Sequence, residues 1–133
     1  MKKRLKSILL VDDSRADTFL HERVIKKTEL SEKVLVCSGA REALDMVSKE
    51  VDGEIQSPDL ILLDINMPNM SGWDFLDEYR KLNEEVKRNS VICMLTTSDA
   101  EEDIKKAKSY DLVKGYYNKP LMLDDLMKMV EEV

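Results

Sequence analysis

The sequence has few of the residues that build metal or redox centres from sulfur and imidazole. Its 133 residues include only two cysteines, Cys37 and Cys93, and one histidine, His21. The cysteines form no Cys-x-x-Cys pair, and with a single histidine they cannot complete a four-ligand zinc site. Each cysteine lies in an apolar run typical of a buried strand, which predicts reduced thiols in the core. His21 follows Leu20 on a helix of mixed polarity and is expected at the surface.

Signals for membranes, export and nucleotide loops are also missing. No stretch of 18 apolar residues and no signal peptide is found, so we expect a cytosolic or nuclear protein, favour a cytoplasmic one, and expect no membrane partner. Neither Gly-x-Gly-x-x-Gly nor the P-loop pattern occurs. The net charge of -6 argues against sequence-independent nucleic-acid binding, which needs a basic surface.

The chain does contain a regular alternation of strand-like and helix-like segments. Five such alternations predict an α/β fold with a parallel sheet. The length is that of one domain, and no repeat or linker interrupts it, so residues 1–133 are expected to form a single domain. The predicted strands are 7–11, 33–37, 59–63, 91–95 and 116–118.

The helices between these strands are predicted from apolar periodicity and capping residues. The first begins near Ser14, the third covers 73–82 and the last covers 123–133. Ser38 is expected to cap the second helix, and Ser98 with Glu101 to form a capping box for the fourth. The segment 51–58 contains a glycine and a proline and is predicted to be a loop. The side chains expected to face the core are Phe19, Leu20 and Val24 in the first helix and Leu126, Met127 and Val130 in the last.

Acidic residues follow two of the apolar runs. Asp12 and Asp13 follow the run 8–11, and Asp64 follows the run 60–63. Strands that are apolar throughout belong to a parallel sheet buried on both faces, and ligands of such sheets bind outside the carboxyl edge. Lys119 directly follows the last predicted strand and would bring a cation to the same edge.

This set of residues indicates a divalent-metal and phosphoryl site. Carboxylates crowded together repel each other unless a cation lies among them, and Mg²⁺ prefers such oxygen ligands. Asp13 and Asp64 are the best direct ligands, with Asp12 binding directly or through a water. A carboxylate can also attack phosphorus, and a lysine can share the charge on the transferred oxygens. A hydroxyl from Thr96 or Thr97 can donate a hydrogen bond.

The sequence resembles the receiver domain of two-component response regulators, close to the single-domain chemotaxis type. The resemblance implies a flavodoxin-like (βα)5 fold with a doubly wound parallel five-stranded sheet of order 2-1-3-4-5. The resemblance spans residues 8–120. The motifs that carry the resemblance are Val11-Asp12-Asp13, Asp64-Ile65-Asn66-Met67-Pro68-Asn69-Met70-Ser71-Gly72, Leu95-Thr96 and Lys119-Pro120.

The same resemblance implies a role for each matching residue. The donor would be a phosphohistidine on a sensor histidine kinase or histidine phosphotransfer protein, and the phosphorylated surface, made by the fourth helix, fifth strand and fifth helix, would bind a protein target that the sequence does not identify. The chain would catalyse only its own phosphotransfer and dephosphorylation. The implied residues are Asp64 as phosphoacceptor, Asp12, Asp13, Asp64 and the backbone carbonyl of Asn66 as metal ligands, Thr96 and Tyr116 as switch residues, and Lys119 as the cation, with a cis bond before Pro120.

Two other functions are compatible with parts of this pattern. An aspartate-dependent phosphatase uses the same carboxylate chemistry, but it usually places a second acid two residues after its nucleophile, where this chain has Asn66. A scaffold receiver could keep the fold without phosphorylation, although Asp13, Asp64 and Lys119 are all present.

Overall fold

A computed structural model describes residues 4–133. Strands and helices alternate along this range. In chain order they are β1 (Leu5–Val11), α1 (Arg15–Thr28), β2 (Ser31–Cys37), α2 (Ala40–Val47), β3 (Glu50–Val51), β4 (Glu54–Ile55), β5 (Leu60–Leu63), α3 (Gly72–Tyr79), α4 (Glu84–Arg88), β6 (Val91–Thr96), α5 (Glu101–Lys108), β7 (Val113–Asn118) and α6 (Leu123–Glu131).

The central sheet is parallel and has the order β2-β1-β5-β6-β7. Since β3 and β4 form a separate two-stranded pair, this order is the predicted 2-1-3-4-5, and the fold class is confirmed. Alternate residues of each inner strand face opposite sides. Leu9 and Ile61 pack in one core cluster with α2 and α3, whereas Ile8 and Leu60 pack in the other with α1 and α6. Both faces of the sheet are therefore covered, which explains why β5 and residues 8–11 of β1 are apolar without interruption.

The segment 51–58 is more ordered than the predicted loop. β3 and β4 pair antiparallel around a turn at Asp52 and Gly53, both with positive φ. The chain also forms α4, a short helix that the sequence did not predict, with the side chain of Asn83 accepting the N–H of Val86 at its start. β2 and β7 begin two and three residues before their predicted starts, and α3 ends three residues before its predicted end, at Tyr79.

Two predicted helix caps are wrong. α2 begins after Gly39, whose extended backbone serves as the N-cap, while the hydroxyl of Ser38 contacts Glu42 at 3.5 Å. α5 begins at Glu101 itself, so this residue is too close to the helix start for a capping box with Ser98. The Ser98 hydroxyl instead donates to Asp103.

The predicted inner face of α1 is rotated. Phe19 and Leu20 are 59% and 53% exposed, whereas Thr18, His21 and Ile25 are buried. Apolar periodicity failed here because two polar residues occupy the inward positions nearest the carboxyl edge of the sheet.

The last helix shows a smaller shift of the same kind. Leu126 and Val130 are buried as predicted, but the third inward residue is Met129, and Met127 is 37% exposed.

Two further predictions concern the cysteines and one peptide bond. Cys37 and Cys93 are buried and unpaired, as predicted, and burial raises the pKa of each thiol to about 12. The Lys119–Pro120 peptide bond is cis. Among residues 4–133, no helix combines the length and apolar character needed to cross a bilayer.

Candidate functional site

The acids following β1 and β5 meet because these strands are neighbours in register. Val11 pairs with Leu63, and the N–H of Asp64 donates to the carbonyl of Val11 at 3.0 Å. Asp12 and Asp64 therefore leave the sheet side by side, both largely buried, with the exposed Asp13 beside them. One carboxylate oxygen from each of the three lies within 4.8 Å of the others. A hard divalent cation such as Mg²⁺ fits this set of oxygen ligands.

Lys119 reaches the same place from the end of β7. Its Nζ lies 2.7 Å from Asp12, 2.8 Å from Asp17 and 3.4 Å from Asp64, and its side chain is only 8% exposed. Burial alone would lower the pKa of this amine, but hydrogen bonds to Asp12 and Asp17 and the charge of Asp64 raise it above its usual value. The contacts with the three acids therefore favour the charged form of Lys119.

Asp17 is a member of the site that the sequence did not identify. It lies in the first turn of α1, where the hydroxyl of Ser14 accepts its N–H. The hydrogen bond from Lys119 holds the pKa of the Asp17 carboxyl below its ordinary value. Acids are common in the first turn of a helix because their charge interacts favourably with the positive end of the helix dipole. The position of Asp17 alone therefore gave no signal of its contact with Lys119.

The electrostatics at Asp64 favour the arrival of a cation. Burial raises the pKa of this carboxyl, and the charge of Asp12 adds to the effect, while Lys119 and hydrogen bonds from Thr96 and the Ile65 N–H oppose it. The Ile65 N–H donates to Oδ1 at 2.8 Å, and Oδ2 faces Lys119. A metal ion among the three acids would counter both burial and the charge of Asp12, which now disfavour ionised Asp64.

The two threonines after β6 differ in environment. Thr96 is fully buried, and its hydroxyl lies close enough to Asp64 to lower the pKa of that carboxyl, whereas Thr97 is exposed. The Thr96 hydroxyl also accepts the N–H of Ser98 at 3.3 Å. Of the two candidates, Thr96 is therefore the hydroxyl that faces Asp64.

Tyr116 lies on β7 beside this segment. Its ring is partly buried, and its hydroxyl donates to the carbonyl of Ser98 at 2.8 Å. The side-chain amide of Asn118 donates to the same carbonyl at 2.9 Å. Two hydrogen bonds to the carbonyl oxygen of Ser98 thus hold the segment after β6 against β7.

Asn66 lies two residues beyond Asp64 with its side chain exposed. The turn that contains it is closed by the Gly72 N–H, which donates to the carbonyl of Ile65 at 2.8 Å, and Met67 anchors it in the core. The turn thereby keeps the backbone of Asn66 at the same edge of the sheet as the acids.

His21 was expected at the surface, and this expectation is wrong. It is 3% exposed on the inner face of α1, one turn beyond Asp17. Burial and, to a lesser degree, the charge of Lys119 lower the pKa of its imidazole, although Asp17 and Asp12 oppose the shift. His21 is therefore a buried group behind the site whose surroundings favour the neutral imidazole.

Comparison with known proteins identifies the class to which this fold and site belong. The family model described as the response regulator receiver domain matches residues 8–131. The chain therefore belongs to the response regulator receiver domain family, and its function is that of a two-component response regulator.

Individual relatives are similar over nearly the whole chain. Response regulator Rcp1 of Synechocystis is 36% identical over 132 residues, which cover 96% of this chain and 86% of Rcp1. The Mn²⁺-bound structure of Rcp1 superposes with a TM-score of 0.73 at 34% identity, over 96% of this chain and 90% of that one.

Two other solved structures are similar. A two-component response regulator from Cytophaga hutchinsonii gives a TM-score of 0.89 at 28% identity and covers 98% of this chain and 97% of its own. The phosphorylated cyanobacterial phytochrome response regulator RcpA gives 0.74 at 30% identity, over 96% of this chain and 89% of that one.

Proposed function

We propose that Asp64 is the phosphoacceptor of this response regulator and that Lys119 and Thr96 assist its phosphorylation. The observation that carries the proposal is the position of the Asp64 carboxylate, 3.4 Å from the Lys119 amine and within 4.8 Å of oxygens from two further acids. A nucleophile, a fixed cation and a metal-binding set of oxygens are the components that phosphoryl transfer needs.

The donor in this proposal is a phosphohistidine on a sensor histidine kinase or histidine phosphotransfer protein. An oxygen of the Asp64 carboxylate attacks phosphorus, the new P–O bond forms and the P–N bond breaks. The electron pair of the P–N bond stays with the departing imidazole. Water later attacks phosphorus, the aspartyl P–O bond breaks, and the products are inorganic phosphate and the free carboxylate.

The residues around Asp64 have separate tasks in this reaction. Lys119 offers its ammonium group to the phosphoryl oxygens, and the hydroxyl of Thr96 donates a hydrogen bond to them. Asp12, Asp13, Asp64 and the backbone carbonyl of Asn66 would hold Mg²⁺, which, when bound, neutralises part of the charge on the phosphoryl oxygens. A Mn²⁺-bound form of the similar protein Rcp1 has been solved, which supports a divalent cation as part of this proposal.

The signal in this proposal is a change of surface. In this proposal, the Thr96 hydroxyl shifts to donate to the phosphoryl group and so releases the N–H of Ser98, which it accepts before phosphorylation. The Tyr116 hydroxyl contacts the carbonyl of the same Ser98. This connection would carry the change to the face formed by α5, β7 and α6, where a protein target binds.

The remaining expectations belong to the same proposal. Residues 1–133 would act as one receiver domain in the cytoplasm, with protein partners and with neither nucleic acid nor membrane as a target. Its chemistry would be limited to its own phosphorylation and dephosphorylation. Asn66 offers no acidic proton for the leaving group of a phosphatase substrate, which argues against turnover of other phosphoesters.

Intact-mass measurement after incubation with acetyl phosphate and Mg²⁺ tests the proposal. Wild-type protein is expected to gain one phosphoryl group, and Asp64→Asn none. Asp59→Asn is the matched control, because Asp59 lies just before β5, at the opposite end from Asp64, and accepts the N–H of Lys6. No gain in the wild type, or a gain that persists in Asp64→Asn, would contradict the assignment.

A further inference from the structure

The ammonium group of Lys119 is shared among three carboxylates in the structure. A lysine has three N–H donors, and here they are directed to Asp12, Asp17 and Asp64. The contacts to Asp12 and Asp17 are the short ones, at 2.7 and 2.8 Å, and the contact to Asp64 is long, at 3.4 Å. The amine is therefore held on the α1 side of the site, away from Asp64.

Asp17 is available for this contact because of how α1 begins. As the third residue of the helix, Asp17 could close a capping box by accepting the N–H of the N-cap residue Ser14. That N–H instead donates to Asp12 Oδ1 at 2.9 Å. The carboxylate of Asp17 is thus left to bind Lys119.

We propose that Asp17 is a positioning residue that holds Lys119 in its unphosphorylated position and so limits phosphorylation of Asp64. The inference rests on the proposed function of Asp64. To bind a phosphoryl oxygen, the Lys119 amine must move toward Asp64 and give up a hydrogen bond.

The hydrogen bond given up is the one to Asp17. Its side chain is 35% exposed, compared with 7% for Asp12, so water can replace the amine at Asp17 with the smallest loss of free energy. Asp17 also adds a negative charge to a site that must accept an anionic group. Both effects disfavour the phosphorylated state relative to a site without this acid.

A phosphorylation titration tests the inference. The fraction of phosphorylated protein is measured by intact mass over a range of acetyl phosphate concentrations with Mg²⁺. Asp17→Asn is expected to reach half-phosphorylation at an acetyl phosphate concentration about fivefold lower than the wild type, the factor that one partly exposed ion pair is worth. Asp17→Glu keeps the charge and is expected within about twofold of the wild type.

Glu22→Gln is the matched control. It removes one negative charge from the same helix, but Glu22 pairs with Lys26 and not with Lys119. Its titration is expected to match that of the wild type. Added salt should lower the acetyl phosphate concentration at which the wild type is half-phosphorylated, toward the value for Asp17→Asn, because salt screens a partly exposed ion pair. A purely structural role of Asp17 would not produce this convergence.

A second measurement reports the contact without metal or phosphoryl donor. The free energies of unfolding of wild type, Asp17→Asn, Lys119→Met and the double variant form a cycle, which is expected to be non-additive because the two side chains touch. Asp17→Ser replaces Asp17→Asn in both experiments should the latter fail to fold. Additive free energies would overturn the inference.

The outcomes separate the two proposals. If the wild type and Glu22→Gln gain no phosphoryl group, the proposed function fails and the inference fails with it. If they are phosphorylated and Asp17→Asn requires as much acetyl phosphate as the wild type, or more, the proposed function stands and the role of Asp17 is overturned.

Discussion

Gly72 packs directly against the carbonyl group of Asp64, so close that no side chain fits between them. A Cβ at Gly72 would overlap the Asp64 oxygen and lie only 3.0 Å from the Cα of Ile65. Both neighbours are backbone, which cannot move aside without moving the acid. The first residue of α3 therefore determines where the chain places Asp64.

Gly72→Ala is expected to destabilise the fold by about 1–3 kcal/mol, the usual range for overpacking. Because the displaced backbone carries Asp64, phosphorylation by acetyl phosphate should also slow markedly. Chemical denaturation and intact-mass kinetics measure the two effects. Gly39→Ala is the control, since its Cβ would meet no atom within 4 Å and its backbone is extended. Equal behaviour of the two variants would contradict the packing argument.

Thr96→Ala is expected to separate phosphorylation from its structural consequence. Asp64 should still accept a phosphoryl group, but chemical-shift changes in β7 and α6 upon phosphorylation should be strongly reduced, because the hydroxyl that responds is missing. Thr96→Ser should restore them. Thr97→Ala is the control, because Thr97 is exposed. A wild-type response in Thr96→Ala would assign the switch to another residue.

The lowered pKa of His21 predicts that the stability of the protein depends on pH. Its folded-state pKa lies below the ordinary 6.5, chiefly because of burial, so the unfolded chain takes up a proton first as the pH falls. Stability should therefore fall from about pH 6.5 down to the folded pKa. The raised pKa of Asp64 acts in the opposite direction.

Comparison with a variant isolates the contribution of His21, which is the chain's single histidine. The free energy of unfolding is measured for wild type and His21→Gln between pH 7.5 and 5.5, and the wild type should lose more stability. Parallel curves would show that the imidazole is protonated in the folded state as easily as in water.

Substitution of Asp13 tests whether this residue is one of the Mg²⁺ ligands. Replacing this exposed acid by asparagine removes one charged oxygen ligand and is expected to weaken Mg²⁺ binding at least tenfold, because Mg²⁺ is held mainly by carboxylates. Calorimetric titration of the unphosphorylated protein measures this affinity. Asp45→Asn, at an exposed position of α2, should bind Mg²⁺ like the wild type. Unchanged affinity in Asp13→Asn would remove Asp13 from the ligand set.

The parts of the fold predicted from sequence are those in which local composition and tertiary environment agree. Residues 8–11 of β1 and all of β5 are apolar because both of their faces are buried, and the acids that follow them had to lie at one edge. The face of α1 was predicted wrongly because Thr18 and His21 point inward while Phe19 points outward. A prediction from helical periodicity assumes that inward-facing residues are apolar. The inward positions of Thr18 and His21 instead lie next to a polar site.

The role of Asp17 could not be predicted for a different reason. Its contact with Lys119 joins residues 102 positions apart, and neither residue carries a local signal of the other. An acid at this position of a helix is common because of the helix dipole, so the position itself pointed to no other role. Only the fold, which brings Lys119 at the end of β7 to the same edge of the sheet as the start of α1, shows that the carboxylate contacts this amine.

The aromatic contact between α3 and the segment that follows α5 leads to the last prediction. The rings of Trp73 and Tyr110 stack with centroids 5.9 Å apart, and the Tyr110 hydroxyl donates to Asp77 at 2.9 Å. The ammonium of Lys106 lies 4.8 Å from the centre of the Trp73 ring. Within α5 only Ala107 is fully buried, so this contact supplies much of what holds the helix to the rest of the protein.

Tyr110→Ala is therefore expected to loosen α5 while leaving the sheet intact. Trp73 is the single tryptophan, so its fluorescence should shift to longer wavelength as the ring becomes exposed to water. Amide hydrogen exchange should become faster in residues 101–108 and stay unchanged in β1 and β5. Tyr110→Phe is the matched control, because it keeps the stacked ring, loses only the hydrogen bond to Asp77, and should cost about 1 kcal/mol or less. Wild-type fluorescence and exchange in Tyr110→Ala would mean that α5 is held by its own few apolar contacts.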